Sequence, residues 1–165
     1  MTPEFHRPVA VDRIGEAGLT RCIEADGAEC AALARRFGVP ALAALACRFH
    51  LTRAPEGVGI IVAEGRLAAT VTRVCVVSLD EFETAVAEEF RVRFVPAGQE
   101  SDEIELDGDD EVPYEGSEID LGEAAAEQLA LALDPYPRKP DAELSAPEQE
   151  MPDGPFAALR SRRLQ

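Results

Sequence analysis

Residues 58–95, VGIIVAEGRLAATVTRVCVVSLDEFETAVAEEFRVRFV, decide the fold of this chain. Apolar and polar residues alternate along most of the stretch, and a period of two places successive side chains on opposite faces of a β-sheet. The Glu64-Gly65 pair interrupts the first part of this pattern. We therefore predict an antiparallel hairpin with strands at residues 58–63 and 67–75.

The second part of the same stretch predicts a further strand. Residues 79–90 also fit the spacing of an amphipathic helix, but the alternation continues beyond them and favours a strand, at least from Val86 onward. The apolar residues of one parity, which should face the core, are Phe82, Val86, Phe90, Val92 and Phe94. Residues 41–51 show the same alternation, and a turn at residues 55–57 should lead this strand into the hairpin.

The residues before the hairpin predict two short strands and a helix. Residues 5–11 and 19–23 predict strands that pair with each other across a glycine-containing turn. Asp26 followed by Glu29 is the pattern of a capping box, and it predicts a helix over residues 27–37. Strands and helices in this order indicate the α+β class.

Beyond the last predicted strand the composition becomes strongly acidic, and we predict a mobile acidic loop at residues 97–117. Like charges at this density repel, and few apolar residues are present to offset the entropy of ordering. Residues 119–134 predict a second helix. We expect residues 1–136 to form a single α+β domain with an antiparallel sheet. Whether this sheet closes into a barrel is not decided by the sequence. Residues 137–165 predict an extended tail with a short terminal helix.

The net charge of −16 is concentrated in one part of the chain. Residues 1–93 contain 13 acidic and 11 basic residues, whereas residues 94–137 contain 14 acidic residues and no basic one. Residues 138–165 contain five of each. One acidic block on a nearly neutral body suggests a local function, and the function that fits is docking of a basic protein. A solvated loop without a partner is the alternative.

The candidate partner-binding residues come from this block and from the end of the chain. Phe156 and Leu159 lie on one side of the predicted terminal helix. The full candidate set is Asp102, Glu103, Glu105, Asp107, Asp109, Asp110, Glu111, Phe156 and Leu159. A calcium loop is not predicted, because aligning Gly108 with the EF-hand glycine places Tyr114 where a bidentate Glu is required.

The sequence does not favour an enzyme or a cofactor-binding protein. The two histidines lie far apart, the expected place of His50 is the protein surface, and neither a nucleophile elbow nor a phosphate loop is present. The four cysteines form no C-x-x-C pair, so we expect buried thiols that pack as small apolar side chains. Neither a membrane-spanning stretch nor a secretory signal is visible, so we expect the cytoplasm.

Two other functions stay open. The first is a thiol- or metal-dependent protein centred on Cys75. The second is a direct RNA-binding module that uses the C-terminal arginines, Arg160, Arg162 and Arg163. The basic clusters are small, and phosphate neutralisation needs clustered Lys and Arg. We therefore favour protein contacts over RNA contacts.

The order of three sequence segments resembles that of the bacterial YceD family, the large ribosomal RNA subunit accumulation proteins. The segments are VTRVCVVSLDEF at residues 71–82, EIDL at residues 118–121 after the acidic loop, and PFAAL at residues 155–159. The resemblance implies a small cytosolic non-enzyme that is needed for normal levels of large-subunit ribosomal RNA. The implied partners are a basic ribosomal protein or a ribosome-assembly factor, with indirect association with the RNA.

The resemblance does not carry a metal site to this chain. Many relatives have a C-x-x-C pair in the segment corresponding to residues 71–82 and a second thiol pair after the helix, which is typical of a zinc site. Here Cys75 matches the first thiol, Ser78 occupies the second position, and no cysteine follows residue 75. We therefore predict no cofactor.

Overall fold

The computed structural model describes residues 3–55, 57–100 and 109–142. Its strands and helices confirm the predicted α+β class. In chain order they are β1 Pro8–Ala10, a short 3-10 turn Val11–Arg13, β2 Leu19–Glu24, α1 Gly27–Phe37, β3 Ala41–Arg53, β4 Ile61–Val74, β5 Glu81–Pro96, β6 Asp110–Tyr114, β7 Glu118–Asp120 and α2 Leu121–Ala132.

The main sheet has five strands in the order β2-β3-β4-β5-β6. Strands β2 to β5 are antiparallel as predicted, and β6 pairs with β5 in parallel. A separate two-stranded sheet joins β1 to β7. In the described part of the chain β2 and β6 are the two edges, so the main sheet is open and the barrel alternative is wrong.

The predicted hairpin at Glu64-Gly65 is wrong, because β4 runs without a break from Ile61 to Val74. Gly65 lies mid-strand, opposite Phe49 on one side and Phe90 on the other. These two rings form an edge-to-face pair with centroids 5.6 Å apart. The glycine therefore provides room for an aromatic ring where we expected a turn. The hairpins of the sheet are β3–β4 and β4–β5.

The predicted pairing of the first two strands is also wrong. Strand β2 pairs with β3, and β1 pairs with β7 beside α2. The backbone around Phe5 crosses the start of α2 so closely that a Cβ on Gly122 would lie 2.1 Å from the Phe5 carbonyl oxygen. Phe5 itself is fully buried. Burial of this aromatic side chain takes the first strand to α2 and away from β2.

Both predicted helices are present, and both pack on the same face of the sheet. The Asp26 carboxylate accepts hydrogen bonds from the backbone at Ala28 and Glu29, and the Glu29 side chain returns one to the Asp26 N–H, which confirms the capping box. α2 begins at Leu121, after β7. The core combines the helices with the inward parity of β3, β4 and β5. No helix of the described residues is long and apolar enough to cross a membrane.

The predicted loop at residues 97–117 is wrong for residues 110–114, which form β6. Val112 and Tyr114 are partly buried against the core, and their burial offsets the cost of ordering an acidic strand. Residues 101–108 lie outside the described residues, as do residues 143–165. The predicted mobility of the first segment and the predicted terminal helix in the second therefore stay predictions.

Candidate functional site

Strand β6 places part of the acidic segment (residues 97–117) on an edge of the main sheet. The Tyr114 hydroxyl donates a hydrogen bond of 2.6 Å to the Gly59 carbonyl oxygen, in the loop between β3 and β4. The Ala97 N–H donates to the Tyr114 carbonyl oxygen over 2.9 Å. Both bonds lie at the C-terminal end of β6, and the pairing of Asp110 with Val92 and of Glu111 with Arg93 positions its start. The acidic residues at the start of β6 therefore have defined positions.

Two acidic side chains of this edge face arginines of the neighbouring strand. Asp109 Oδ2 lies 3.2 Å from Arg91 Nε, and Glu111 Oε1 lies 4.0 Å from Arg93 Nη1. Asp110, between them, is exposed and points to the other side of the strand. The edge thus engages arginine through alternate acidic residues, which is the interaction that a basic partner would make.

The structure brings together only part of the predicted site. Asp109, Asp110 and Glu111 lie next to one another at the β6 edge. The other candidate residues, Asp102, Glu103, Glu105, Asp107, Phe156 and Leu159, lie outside the described residues. Strand β6, which begins directly after Asp109, was missed because its charged residues obscure the apolar alternation of Val112 and Tyr114.

Cys75 lies in the turn after β4, and four groups stabilise its thiolate. The Ser78 side chain donates to it, and the backbone N–H groups of Ser78, Lys139 and Val77 lie 3.5, 3.4 and 3.4 Å from Sγ. These hydrogen bonds lower the pKa of the Cys75 thiol to about 6. Cys75 is fully buried. The sulfur thus accepts hydrogen bonds from its own turn and also from residue 139, 64 positions away.

Further contacts attach residues 134–139 to the same end of the sheet. The Val76 N–H donates to the Pro137 carbonyl oxygen over 2.9 Å. The Arg73 guanidinium, almost fully buried at the end of β4, donates to the Asp134 carbonyl oxygen. These bonds fix the chain that leaves α2 against the turn at Cys75.

The residues around Cys75 do not fit a zinc ion. A structural zinc site takes four ligands, usually cysteine thiolates and histidines. In the described residues no group of three or more His, Cys, Asp or Glu side chains is placed to hold a metal. Ser78 stands where a second thiol would be, and a backbone N–H at residue 139 approaches the sulfur.

The other thiols differ from one another. Cys30 and Cys47 are buried as expected, and burial raises the pKa of both, that of Cys47 to about 12. Cys22 is exposed, so the prediction of burial is wrong for this residue. It lies on the outer parity of β2, opposite Arg48 on the face that the helices leave uncovered.

The helix-free face of the sheet carries a shallow hollow of about 600 Å³. His50 lies in it and is exposed as expected, with its Nδ1 3.3 Å from the Thr20 hydroxyl oxygen. The charged residues that line or border the hollow alternate in sign and are Arg48, Glu64, Arg66, Glu89, Arg91 and Asp109. Three arginines matched by three carboxylates give this surface little net attraction for phosphate.

A second cavity, which we call the terminal groove, was not predicted. It has a volume of about 640 Å³ and lies where the C-terminal ends of α1 and α2 meet the end of β4. Its apolar lining includes Phe37, Val39, Val74, Val76 and Leu133. The apolar run at residues 74–77, next to a strand end, was a sequence feature that could have indicated it.

Residues 63–159 match the family model described as "Large ribosomal RNA subunit accumulation protein YceD". The match begins in β4, includes the acidic segment and α2, and ends beyond the described residues. No curated protein and no solved structure matches the chain.

Proposed function

Because this chain belongs to the YceD family of large ribosomal RNA subunit accumulation proteins, we propose that it is a non-enzymatic accessory factor of large-subunit ribosome biogenesis in the cytoplasm. It acts through protein–protein contacts of its acidic segment. The partner is a basic ribosomal protein or a basic assembly factor. Association with large-subunit ribosomal RNA is indirect and goes through that partner.

The observation that supports this proposal is the position of the negative charge. Residues 94–137 contain 14 acidic and no basic residues, and part of this charge lies on the β6 edge strand. An edge strand also presents unpaired backbone groups to a partner. Pro113 has no N–H group to donate to another strand, and the carboxylates of β6 would repel those of a second copy. Pairing with a second copy of the same edge is therefore disfavoured. A basic segment meets no such repulsion.

The charges also account for the choice of protein over RNA. Electrostatic complementarity steers a basic partner to an acidic surface and raises its association rate. The same field repels the phosphate backbone. A protein with this surface can therefore hold or shield a basic ribosomal protein while that protein binds the RNA.

The test compares two variants that lose the same charge. The first neutralises Asp102, Glu103, Glu105, Asp107, Asp109, Asp110 and Glu111 to Asn or Gln. The matched control neutralises seven exposed acidic residues of the body, Asp12, Glu16, Glu24, Glu64, Glu81, Glu83 and Glu88. We expect the first variant to lose capture of ribosomal components and to lower large-subunit RNA levels in cells, and the control to retain both.

Equal capture by the wild-type protein and both variants would exclude the acidic segment from the mechanism. Nuclease treatment before capture separates the two kinds of contact, because protein contacts survive it and RNA-mediated contacts do not. Direct RNA binding through Arg160, Arg162 and Arg163 would instead show an affinity for large-subunit RNA fragments that falls steeply with salt.

A further inference from the structure

We propose that the C-terminal segment PFAALRSRRL, residues 155–164, docks in the terminal groove of its own chain. This inference does not depend on the proposed function, because the acidic segment forms no part of the groove lining. Three observations support it: the exposed apolar surface at the groove, the place where the described chain ends, and the composition of the segment.

Exposed apolar side chains are concentrated at this end of the molecule. Val74 and Val76 line the groove and remain 40% and 45% exposed. Leu131 and Tyr136, which are also exposed, directly adjoin residues of the lining. Apolar surface gathered in one place indicates a site that another element covers.

The charges at the groove are mixed, because its lining contains Arg36, Arg73 and Asp134. The groove lies at the C-terminal ends of both helices, where carbonyl groups without helical partners carry partial negative charge. The last turn of α1 contains Arg35 and Arg36, which offset this charge, whereas the last turn of α2 contains no basic residue. Partial burial and, to a smaller extent, repulsion from Glu123 raise the pKa of Glu127, one turn earlier on α2. Arg73, which donates to the Asp134 carbonyl oxygen, already supplies one cation just beyond this end of α2.

The chain reaches the groove before it leaves the described residues. Pro137 is part of the lining, and the Lys139 N–H is bonded to Cys75 Sγ close by. The described chain ends at residue 142. Twelve residues, 143–154, separate that point from Pro155, and an extended chain across this gap spans roughly 45 Å. The terminal segment can therefore reach the groove without strain.

The segment has the composition that the groove requires. Phe156 and Leu159 are spaced to lie on one side of a helix, and Pro155 suits its first position. Arg160, Arg162 and Arg163 would add positive charge beside the last turn of α2, which contains no basic residue of its own. Burial of Phe156 and Leu159 against Val74 and Val76 removes apolar surface of both elements from water.

The experiment uses tryptophan fluorescence, because the chain contains no Trp. Phe156→Trp in the full chain provides a single reporter on the apolar side of the segment. Ser161→Trp is the matched control on the opposite side. We expect the emission of the first variant at shorter wavelength, with protection from acrylamide, and the emission of the second at the wavelength of a solvated indole.

Groove variants then locate the burial. Val76→Arg in the Phe156→Trp background should shift the emission to longer wavelength, whereas Val58→Arg, at an exposed valine outside the groove, should not. Leu159→Asp should give the same shift as Val76→Arg without altering the folded body. Circular dichroism checks that each variant is folded.

Three results would overturn the proposal. The first is a solvated emission from Phe156→Trp. The second is an emission at shorter wavelength that appears only as protein concentration rises, which would mean that a second copy supplies the groove or the segment. The third is an emission that is unaffected by Val76→Arg, which would mean that Phe156 is buried elsewhere.

Discussion

Gly65 occupies a position in β4 that a larger residue could take only by displacing Phe90. A Cβ at this position would lie 2.2 Å from Phe90 Cζ. We expect Gly65→Ala to lower the free energy of unfolding by roughly 1–3 kcal/mol, the usual cost of overpacking. Urea unfolding monitored by circular dichroism measures this. Gly15→Ala is the control, because a Cβ there meets nothing within 4 Å.

The double variant Gly65→Ala/Phe90→Ala tests whether the loss of stability comes from the clash with Phe90 or from an effect of alanine at residue 65 that does not depend on this ring. With the ring removed, the added methyl group has room, so the cost of Gly65→Ala should largely disappear in the Phe90→Ala background. Strict additivity of the two single substitutions would show that the clash is not the cause.

The low pKa of Cys75 makes stability depend on pH. In the folded protein the Ser78 side chain and three backbone N–H groups lower the thiol pKa to about 6, from the ordinary cysteine value of about 9. Between these values the unfolded chain binds a proton that the folded chain does not, so the stability difference between wild type and Cys75→Ala should increase from pH 6 to pH 9 and be lost as pH falls through 6. Chemical unfolding across pH 5–10 measures it. A difference that stays constant would mean that the thiol is protonated when folded.

These two residues show what the sequence could and could not predict at this scale. Arg73 was the only charge near Cys75 along the chain, but the sulfur is held by N–H groups of its own turn and by Lys139, 64 positions away. The fold alone brings that donor to the sulfur. The sequence indicated that Gly65 interrupts the alternating pattern. It could not show whether the glycine forms a turn or provides room for an aromatic ring, because both give the same break in the pattern.

At the scale of elements, the two N-cap residues differ in the parts of the chain that their side chains contact. Asp26 caps α1 and contacts its own helix. The Asp120 carboxylate caps α2, and it also accepts a hydrogen bond of 2.8 Å from the Arg7 N–H and lies 2.5 Å from His6 Nδ1. It therefore connects the N-terminal segment to α2.

We expect Asp26→Ala to cost about 1 kcal/mol, the usual value for an N-cap. Asp120→Ala should cost roughly 1 kcal/mol more, because the Arg7 N–H also loses its acceptor. Urea unfolding of both variants gives the comparison. Asp120→Asn, which keeps an acceptor oxygen, should recover much of the loss. Equal costs for the two alanine variants would mean that the contact with the N-terminal segment contributes nothing.

The elements that the sequence predicted correctly are those whose pattern is local. The capping box defined α1, and alternation defined β3 and the part of β5 from Val86 onward, whereas the start of β5 also fitted a helix. β6 was missed because it is five residues long and acquires stability only by parallel pairing with β5. The pairing of β1 with β7 joins residues more than 100 positions apart, and burial of Phe5 beside α2 determines it. No short-range pattern contains that information.

At the scale of the whole molecule, repulsion arising from the net charge of −16 destabilises the folded state, whereas individual ion pairs between acidic and basic side chains stabilise it. Salt screens the long-range repulsion. An ion pair with direct hydrogen bonds, such as Arg36 with Glu123 at 2.6 Å, is weakened less by the same salt concentration. The two effects therefore predict opposite results for removing a carboxylate. Loss of an unpaired acid should stabilise the protein, and loss of a paired acid should destabilise it.

The prediction is that the thermal unfolding midpoint rises between roughly 20 and 500 mM NaCl, because the salt screens repulsion over about a Debye length. Neutralising Asp102, Glu103, Glu105 and Asp107 should raise the midpoint at low salt and flatten its dependence on salt. The matched variant Glu29→Gln/Glu123→Gln removes charge from pairs with Arg7 and Arg36, and it should lower the midpoint instead. A wild-type midpoint that falls with salt would show that local pairs outweigh repulsion, and the acidic segment would then need a structural explanation within the folded chain.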